Sequence, residues 1–446
     1  MKRYPAYKDS GIEWIGEIPE HWVVSKLKYS LDEIIGGGTP DTSNPSYWDD
    51  ENGIPWVAIS DITEQEILKK TSRKISVEGK ESKGLEIIPR GTLLISIFAS
   101  LGKTTLLDID ASANQAILGL IPAHKLIRDY LKYHLVDVER YISYYSSSNT
   151  QENLNLTKIK NLIVLLPPFP EQQTIATYLD RKTHLIDTLI EKKQKLIDLL
   201  KEQRAAIINH AVTKGLNPDV KLKDSGIEWL GEIPEHWDVK KLKWVVKERL
   251  KYGANESAEL DDKKLPRYIR ITDFDEDGRL RAETFRSLPF EKAEEYLLKE
   301  GDILFARSGA TVGKTFQFKN YEGVACFAGY LIKATVNEKV ILSDYLYLYT
   351  KSNRYENWKN RIFIQATIQN IGADKYQMLE VTIPPLNEQK NILNYVHEKL
   401  KKIQRIYNKT VKQIDHLKEY RTTLISEVVT GKIDVRDSGI PEVRPS

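Results

Sequence analysis

The longest amphipathic patterns in the chain are two stretches that begin at matching proline pairs, Pro167-Pro168 and Pro384-Pro385. Each proline pair is followed by a Glu-Gln pair, Glu171-Gln172 or Glu388-Gln389, and then by apolar residues at heptad spacing. The heptad positions in the two copies are Leu179, Ile186, Leu189, Leu196, Leu200 and Ile207, matched by Val396, Ile403, Ile406, Gln413, Leu417 and Leu424. A seam of this length, with charged residues between its members, predicts two long helices that pair as a coiled coil. The alternative is two unrelated amphipathic helices, each packed on its own domain.

A shorter motif is also duplicated and precedes each variable part of the chain. Residues 8–28 read KDSGIEWIGEIPEHWVVSKLK, and residues 223–243 read KDSGIEWLGEIPEHWDVKKLK. The glycines and proline predict an irregular packed turn, and the tryptophans predict a buried anchor. An isolated Glu-His pair, as at His21 and His236, lacks a second ligand at metal-binding spacing. We therefore interpret each copy as a structural joint, not as a catalytic or metal site.

Between each joint and the next proline pair lies a region of about 140 residues, and these two variable regions share little sequence. Strand-like runs recur in both, at Ile54 to Ile59, Thr92 to Phe98, Tyr268 to Thr272, Asp302 to Ala306 and Gly329 to Ala334. Short helices are predicted at Leu126 to Tyr141 and Ser343 to Lys351. This mixture predicts α+β domains. The fold class is therefore two α+β domains separated by two long helices that form an antiparallel coiled coil, with a pseudo-two-fold internal repeat.

These patterns divide the chain into five parts. They are a first domain with its joint (1–166), a central long helix (167–214), a second joint and domain (215–383), a distal long helix (384–431) and a tail that repeats part of the joint (432–446). The order joint, domain, helix, joint, domain, helix describes one duplicated unit whose ends are able to meet.

Composition narrows the class of protein. The chain has 446 residues, of which 41% are hydrophobic and 29% charged, as in globular proteins. The single cysteine excludes an intramolecular disulfide and a cysteine-cluster metal site. No apolar run reaches the roughly 18 residues that a membrane span requires. We therefore expect a cytoplasmic protein. A net charge of +3 says little about partners, so any nucleic-acid surface has to be locally basic.

Three sequence patterns typical of enzymes are incomplete or absent in this chain. Residues 309–315, GATVGKT, have three residues between the glycines where a phosphate-binding loop has four. Leu166 and Ile383 precede the proline pairs, where an amino-methyltransferase needs Asn or Asp to accept hydrogen bonds from the target amino group. No ordered acid-acid-lysine cluster recurs in both halves. We therefore predict that the chain has no catalytic residues, no bound cofactor and no metal.

Binding remains as the predicted activity. Two different domains on one duplicated frame suit a ligand that is read at two places, and DNA presents its grooves again every helical turn. Each variable region contains a strand followed by a Gly-Lys-Thr turn, at Lys103 and Lys314. Such a turn presents backbone amides, a hydroxyl and a cation to a phosphate. The alternative is that each turn only stabilises its own sheet.

The chain resembles the specificity subunit of type I restriction–modification enzymes. The resemblance rests on the doubled joint, GGGTPDTSNPSYWDDENGIPWVAISDI (Gly36 to Ile62), SANQA (Ser112 to Ala116), the two Gly-Lys-Thr turns and the two PP-x-x-EQ helix starts. It implies two target-recognition domains that each read half of a split DNA sequence, with the coiled coil as the ruler between them. The second domain departs from the first. It has no equivalent of GGGTP or SNPSYW, and it has PRYIRITD (Pro266 to Asp273) instead.

The resemblance also implies partners. Two methyltransferase subunits grip the frame, motor-nuclease subunits join them, and S-adenosylmethionine, ATP and magnesium belong to those partners. In this chain we predict DNA contacts from nine residues: Tyr47, Trp48, Ser60, Lys103, Thr104, Arg270, Arg307, Lys314 and Thr315. A scaffold with two non-DNA ligand domains is the alternative function, and a free-standing nuclease or methyltransferase is a third. Selection of a split motif from random DNA would distinguish DNA recognition from the scaffold function.

Overall fold

A computed structural model describes residues 2–64, 67–97, 102–139, 155–275, 278–364 and 370–438. The chain forms two compact units. The first unit comprises Met1–Lys193 and Lys412–Ser446, and the second comprises Gln194–Val411. Both long helices therefore contribute one half to each unit.

The first unit contains twelve described strands and six described helical segments besides the two long helices. The strands are Tyr7–Asp9, Glu17–Pro19, Val23–Lys26, Leu31–Gly36, Ile54–Val57, Ile67–Leu68, Arg73–Ile75, Leu93–Ser96, Thr104–Leu107, Ser112–Ala113, Ile117–Pro122 and Ile163–Leu166. The α-helices are Ile59–Glu64, Val77–Ser82, Arg128–Glu139, Leu156–Lys160 and the first long helix, Phe169–Thr213, which crosses into the second unit. Leu27–Tyr29 and Pro45–Tyr47 form 3₁₀ turns.

The second unit repeats this order with fewer strands. They are Leu222–Asp224, Glu232–Pro234, Asp238–Lys241, Lys251–Tyr252, Arg267–Ile269, Ile303–Ala306, Thr315–Gln317, Ala325–Phe327, Leu331–Ala334 and Glu380–Ile383. The α-helices are Phe290–Ala293, Ser343–Tyr349, Asn353–Ile364, Ala373–Tyr376 and the second long helix, Leu386–Val429, which crosses into the first unit. Leu242–Trp244, Ile271–Asp273, Glu294–Tyr296 and Gly309–Thr311 are 3₁₀ turns.

The two variable regions share the order of four antiparallel strands despite their different sequences, and the first region has two further strands, Ile67–Leu68 and Arg73–Ile75. In the first, the antiparallel strands follow the order Leu31–Gly36, Ile117–Pro122, Leu93–Ser96 and Thr104–Leu107. In the second, the matching order is Lys251–Tyr252, Leu331–Ala334, Ile303–Ala306 and Thr315–Gln317. Each region also has a short parallel pair, Ile54–Val57 with Ser112–Ala113 and Arg267–Ile269 with Ala325–Phe327. The predicted α+β class is confirmed, and the sheet order is what the sequence alone did not provide.

All five strand-like runs contain a strand, although three of them end earlier than predicted, at Val57, Ser96 and Ile269. Ile59 starts a helix and Ile271 starts a 3₁₀ turn, because a buried aspartate, Asp61 or Asp273, accepts a hydrogen bond from the backbone N–H three residues before it. The predicted helix at Leu126 to Tyr141 is present as Arg128–Glu139, and its last two predicted residues lie outside the described part, as does Phe98.

The joints are anchored by tryptophans that are completely buried, Trp22 in the first unit and Trp237 in the second. In the first unit Glu171, at the start of the long helix, accepts hydrogen bonds from the Trp22 indole (3.0 Å) and from His21 (2.8 Å). In the second unit Glu388 pairs with His236 at 2.7 Å. The Glu-His motif thus links the joint to its helix, as expected for a structural element.

The glutamine of each PP-x-x-EQ motif ties the helix start to its own domain. Gln172 accepts from the Ile127 backbone N–H (2.9 Å) and donates to the carbonyl oxygens of Lys125 and Pro167. Gln389 makes the same three contacts, accepting from the Leu342 N–H (2.8 Å) and donating to Val340 and Pro384. Both side chains are buried, so all of their polar atoms are satisfied by the domain, which fixes the direction in which each helix leaves it.

In the first unit the helix halves run antiparallel. Asp187 pairs with Arg421 at 2.9 Å, and Lys193 donates to Gln413 at 2.8 Å, so residue numbers rise along one helix as they fall along the other. Glycines in the left-handed conformation, Gly215 (φ 76°) and Gly431 (φ 74°), follow the two helices.

The seam differs from the strict heptad. Leu179, Ile186 and Leu200 are buried as predicted, whereas Leu189 and Leu196 are 41% and 38% exposed. Ile197 is buried in place of Leu196, and the second helix shows the same change, with Ile406 47% exposed and Ile414 buried. A helix with 3.6 residues per turn drifts away from a seven-residue repeat, so the buried stripe moves by one residue along these helices.

The two ends of the described chain meet in the first unit. The Asp434 backbone N–H donates to the Lys2 carbonyl oxygen (2.9 Å), and the Tyr7 hydroxyl donates to the Gly431 carbonyl oxygen (3.0 Å). The residues after the second long helix thus complete the first joint, as the order of repeats predicts.

Candidate nucleic-acid interface

The Gly-Lys-Thr turns have one geometry in both variable regions. The Ser96 N–H donates to the Lys103 carbonyl oxygen, and the Ala306 N–H donates to that of Lys314, both at 2.9 Å. The preceding glycines have nearly identical positive φ angles, 78° and 79°, which closes the turn tightly. Both lysine side chains are exposed. Each turn therefore stabilises its own hairpin through the backbone while it presents a cation to solvent.

The threonines of these turns are oriented differently from the lysines. The Thr315 side chain is buried, and its hydroxyl lies 2.7 Å from that of Thr350 in the same domain. Thr104 is half-buried in the strand that pairs with Leu93–Ser96. The geometry favours the lysines over the threonines as ligand contacts, and the predicted role of both threonines stays a prediction.

Arg307 follows the strand Ile303–Ala306 and is held from both sides. Its backbone N–H donates to the Tyr330 carbonyl oxygen (3.0 Å), and its carbonyl oxygen accepts from the Ile371 N–H (2.8 Å). Its guanidinium lies 5.0 Å from the centre of the Tyr252 ring and makes no hydrogen bond or ion pair with any described residue. Tyr330 beside it is 61% exposed. The result is a guanidinium that packs over the accessible Tyr252 ring and has no polar partner among the described residues.

Tyr47 and Trp48 lie at the edge of the first variable region. Tyr47 ends the 3₁₀ turn Pro45–Tyr47, which Asn44 caps through its side chain. The Trp48 ring packs edge-on against Trp56 and lies 3.7 Å from the guanidinium carbon of Arg73. Trp48 is therefore half-buried, with a cation on its face.

Ser60 and Arg270 both lie near the end of a parallel strand pair, but their positions differ, because Arg270 matches Ala58 when Asp273 is aligned with Asp61. Ser60 is exposed on the helix Ile59–Glu64. The Arg270 guanidinium bonds Asp273 (2.9 Å) and the Thr284 carbonyl oxygen (2.9 Å), so most of its donors are already used. Of the two predicted arginines in the second region, Arg307 is the one whose guanidinium has no polar partner among the described residues.

Sequence reasoning missed Tyr252 and Tyr330. Lys251–Tyr252 and Leu331–Ala334 are adjacent antiparallel strands, and the Tyr252 ring lies beside Arg307, whereas Tyr330 contacts Arg307 through its backbone carbonyl oxygen. No spacing rule relates residues so far apart in the chain. The available signal was only that Tyr252 precedes a glycine and Tyr330 follows one.

The described residues contain no group of three or more His, Cys, Asp or Glu side chains placed to hold a metal ion. Lys314 and Thr315 lead into a strand, whereas a phosphate-binding loop leads into a helix. Burial raises the pKa of the Cys326 thiol to about 12, which leaves it unreactive near neutral pH. Within the described ranges, no helix is both long and apolar enough to cross a membrane.

Two domains of one topology, each with a basic turn and joined to long helices by the same buried glutamine, define a duplicated recognition protein. Comparison with known proteins gives its family. The profile of the type I restriction modification DNA specificity domain matches residues 19–199 and 234–415. The chain therefore belongs to this family, as a specificity subunit with two copies of the domain, and it is not an enzyme.

Relatives of the same kind cover nearly the whole chain. The MjaIX specificity subunit of Methanocaldococcus jannaschii is 25% identical over 95% of this chain and 96% of its own length. The MjaVIII subunit of the same organism is 23% identical over 94% and 95%. Among solved structures, a chain from a study of assembly and conformational transition in a type I R-M system gives a TM-score of 0.73 at 15% identity, covering 93% of this chain and 99% of that one. The HsdS subunit of Thermoanaerobacter tengcongensis gives 0.55 at 15% identity, covering 93% and 98%.

Proposed function

We propose that the chain reads a split double-stranded DNA sequence, one half with each variable region, for a type I restriction–modification complex. The observation that carries this proposal is that the two variable regions share a backbone arrangement but present different side chains at their surfaces. The two regions share their sheet order and their Gly-Lys turn. Arg307 with its tyrosines in the second region has no match in the first, where Ile97 stands at the corresponding place. Two readers with different side chains suit two different half-sites.

Within this proposal the nine predicted residues have unequal roles. Lys103 and Lys314 contact phosphates, since they are exposed cations on backbone-fixed turns. Arg307 reads a base edge, because its guanidinium packs over the Tyr252 ring and has no polar partner in the described part of the chain. Tyr47, Trp48 and Ser60 contribute from the first region, and Arg270 acts chiefly by holding Asp273 in place.

The partners follow from the same assignment. Two methyltransferase subunits dock on the frame that the joints and helices form, and motor-nuclease subunits join them. S-adenosylmethionine, ATP and magnesium act in those subunits, and the complex works in the cytoplasm with the DNA.

Methylation mapping tests the proposal. The chain is produced with its methyltransferase subunits in a host without other adenine methylation, and methylated positions are read across the genome. We expect one split motif with a fixed spacer. Methylation without any sequence preference, or a chain that assembles with the subunits yet leaves their DNA binding unchanged, would favour the scaffold that binds no DNA.

A further inference from the structure

A cleft of 760 Å³ in the second unit is lined by both long helices and the second variable region. The first helix contributes Arg204 and Ile208, and the second contributes residues between Leu393 and Leu400. The Gly-Lys turn at Lys314 forms the facing wall. The cleft therefore brings a helix of the frame and a predicted DNA-contacting turn to one place.

Three cations converge on this cleft without matching anions. In the described part of the chain neither Arg204 nor Lys314 makes a hydrogen bond or an ion pair, and Lys351 donates only to the Thr315 carbonyl oxygen, at 2.7 Å. The carboxylates on the cleft wall are already paired. Asp344 binds Lys319 at 2.8 Å, and Glu356 binds Lys359 at 2.5 Å. The cleft thus holds uncompensated positive charge.

The electrostatics of Lys351 agree with this. Its surroundings desolvate the ammonium group, and Arg204 and Lys314 repel it, which together lower its pKa to about 8 despite an opposing effect of Glu356. The side chain is nevertheless open to solvent along the cleft. An anion that enters would relieve the repulsion among all three cations.

The internal repeat shows that this arrangement is particular to the second unit. Counted from the Glu-Gln pairs, Arg421 matches Arg204, and Asp187 matches Gln404. Arg421 is neutralised by Asp187 at 2.9 Å. Gln404 lies near Arg204 in an adjoining pocket but carries no charge, so Arg204 stays unpaired. Arg281 and Asp275 of the variable region line the same pocket, and the Asp275 carboxylate accepts a hydrogen bond from the Arg279 backbone N–H. The pocket lining thus has three cations, Lys201, Arg204 and Arg281, and one carboxylate.

We propose that this cleft binds a phosphate of the DNA backbone through Arg204, Lys314 and Lys351, so that the first long helix is itself part of the DNA-binding surface. The inference rests on the proposed function. A backbone phosphate fits better than a free anion because the adjoining pocket also has more cations than carboxylates, with Arg281 beyond Arg204, and only a polyanion engages both places.

The test measures DNA affinity at several salt concentrations with the full chain assembled with its methyltransferase subunits. We expect Arg204→Gln to lower affinity about tenfold and to reduce the slope of log K against log salt by about 0.9, with an unchanged methylation motif. Gln404→Asp should give the same loss while it keeps the arginine, because the new carboxylate reproduces the Asp187–Arg421 pair. The matched control is Lys195→Gln, an exposed cation on the opposite face of the same helix, which should keep the wild-type slope.

Each outcome has a defined meaning. A wild-type slope in Arg204→Gln, from a complex that still methylates one motif, overturns the cleft site and leaves the proposed function intact. A wild-type complex without sequence preference overturns the proposed function as well. Titration of the full chain with inorganic phosphate separates the two sources of phosphate. If Arg204→Gln abolishes phosphate binding but leaves the DNA salt slope unchanged, the cleft serves a free anion and its assignment to DNA is wrong.

Discussion

Replacing Arg307 by lysine removes a planar pair of donors while it keeps the positive charge. The native guanidinium is set by two backbone hydrogen bonds of 3.0 and 2.8 Å and by the Tyr252 ring 5.0 Å away. Its Nε atom is buried, which leaves the terminal N–H groups as the donors available to a ligand. Two such donors match the O6 and N7 acceptors of guanine in the major groove.

The magnitude follows from that match. A bidentate arginine–guanine contact discriminates against other bases by about 1–3 kcal/mol, which is roughly 5- to 150-fold in preference. Lysine offers a point charge on a flexible stem and cannot reproduce the paired geometry. We therefore expect Arg307→Lys to relax the preference at one base pair of one half-site and to leave every other position of the motif unchanged.

The assay is methylation of a randomised duplex library by the complex assembled with methyltransferase subunits. Lys314→Gln is the comparison variant, because loss of a phosphate contact should weaken binding uniformly across sequences. An Arg307→Lys complex that keeps the full preference at every position would refute base reading by this residue. A uniform loss of affinity would instead assign Arg307 to the backbone.

Three further results are expected. Glu171→Ala leaves the buried Trp22 indole N–H without its acceptor and should lower the free energy of unfolding by about 1–3 kcal/mol, whereas Glu388→Ala should cost less, since it accepts no indole hydrogen bond. DNA affinity should fall as the pH rises through 8, because Lys351 then loses its charge, and Lys351→Arg should remove that dependence. Exchange of residues 245–380 for the matching region of a relative should change one half-site only.

These three results have separate checks. Urea unfolding followed by tryptophan fluorescence compares the two glutamate variants, and equal midpoints would contradict the different roles assigned to Glu171 and Glu388. Binding measured at pH 7 and pH 9 with constant salt tests Lys351. A bound phosphate favours its protonated form, so affinity has to decrease with pH, and a rise would contradict the argument. Methylation mapping decides the exchange, and new bases in both halves of the motif would show that the readers are not separable.

The frame was predictable because its sequence is repeated. The doubled joint and the PP-x-x-EQ starts located both long helices. Of the two tryptophans in each joint, the second, Trp22 or Trp237, is the buried anchor that the pattern indicates. The exposed Leu189 and Leu196 show where the heptad prediction of buried positions is wrong. A heptad count treats the helix as supercoiled throughout, whereas the helix drifts and selects Ile197.

The candidate site was harder to predict from the sequence, because its residues are distant along the chain and come together only when the strands pair. Arg307 and Lys314 were identified from one strand and its turn, but Tyr252 reaches Arg307 through a different strand. Arg204 lies on the first long helix, for which the sequence pattern predicts only the role of separating the two variable regions. Arg204 has no ion-pair partner among the described residues because its neighbour Gln404 is uncharged. In the other copy of the repeat the residue that matches Gln404 is Asp187, which neutralises Arg421.

The contrast between conserved joints and different readers has a physical origin in the kinds of bonds that hold each part. The joints and the helix starts are held by side chains. Gln172 and Gln389 at the helix starts each make three hydrogen bonds to the domain backbone, and Trp22 and Trp237 in the joints are completely buried. Replacement of any of these would leave buried polar groups unsatisfied or open a cavity, so both copies retain them.

The sheets of the variable regions are held chiefly by their backbones. The hydrogen bond from Ser96 to Lys103 and that from Ala306 to Lys314 join main-chain atoms, so the turn keeps its shape whatever side chains surround it. The glutamines likewise contact only backbone atoms of the domain, such as those of Ile127 and Leu342. A variable region is thus attached through groups that every sequence possesses. Its exposed side chains are free to differ, which allows one fold to carry two different reading surfaces.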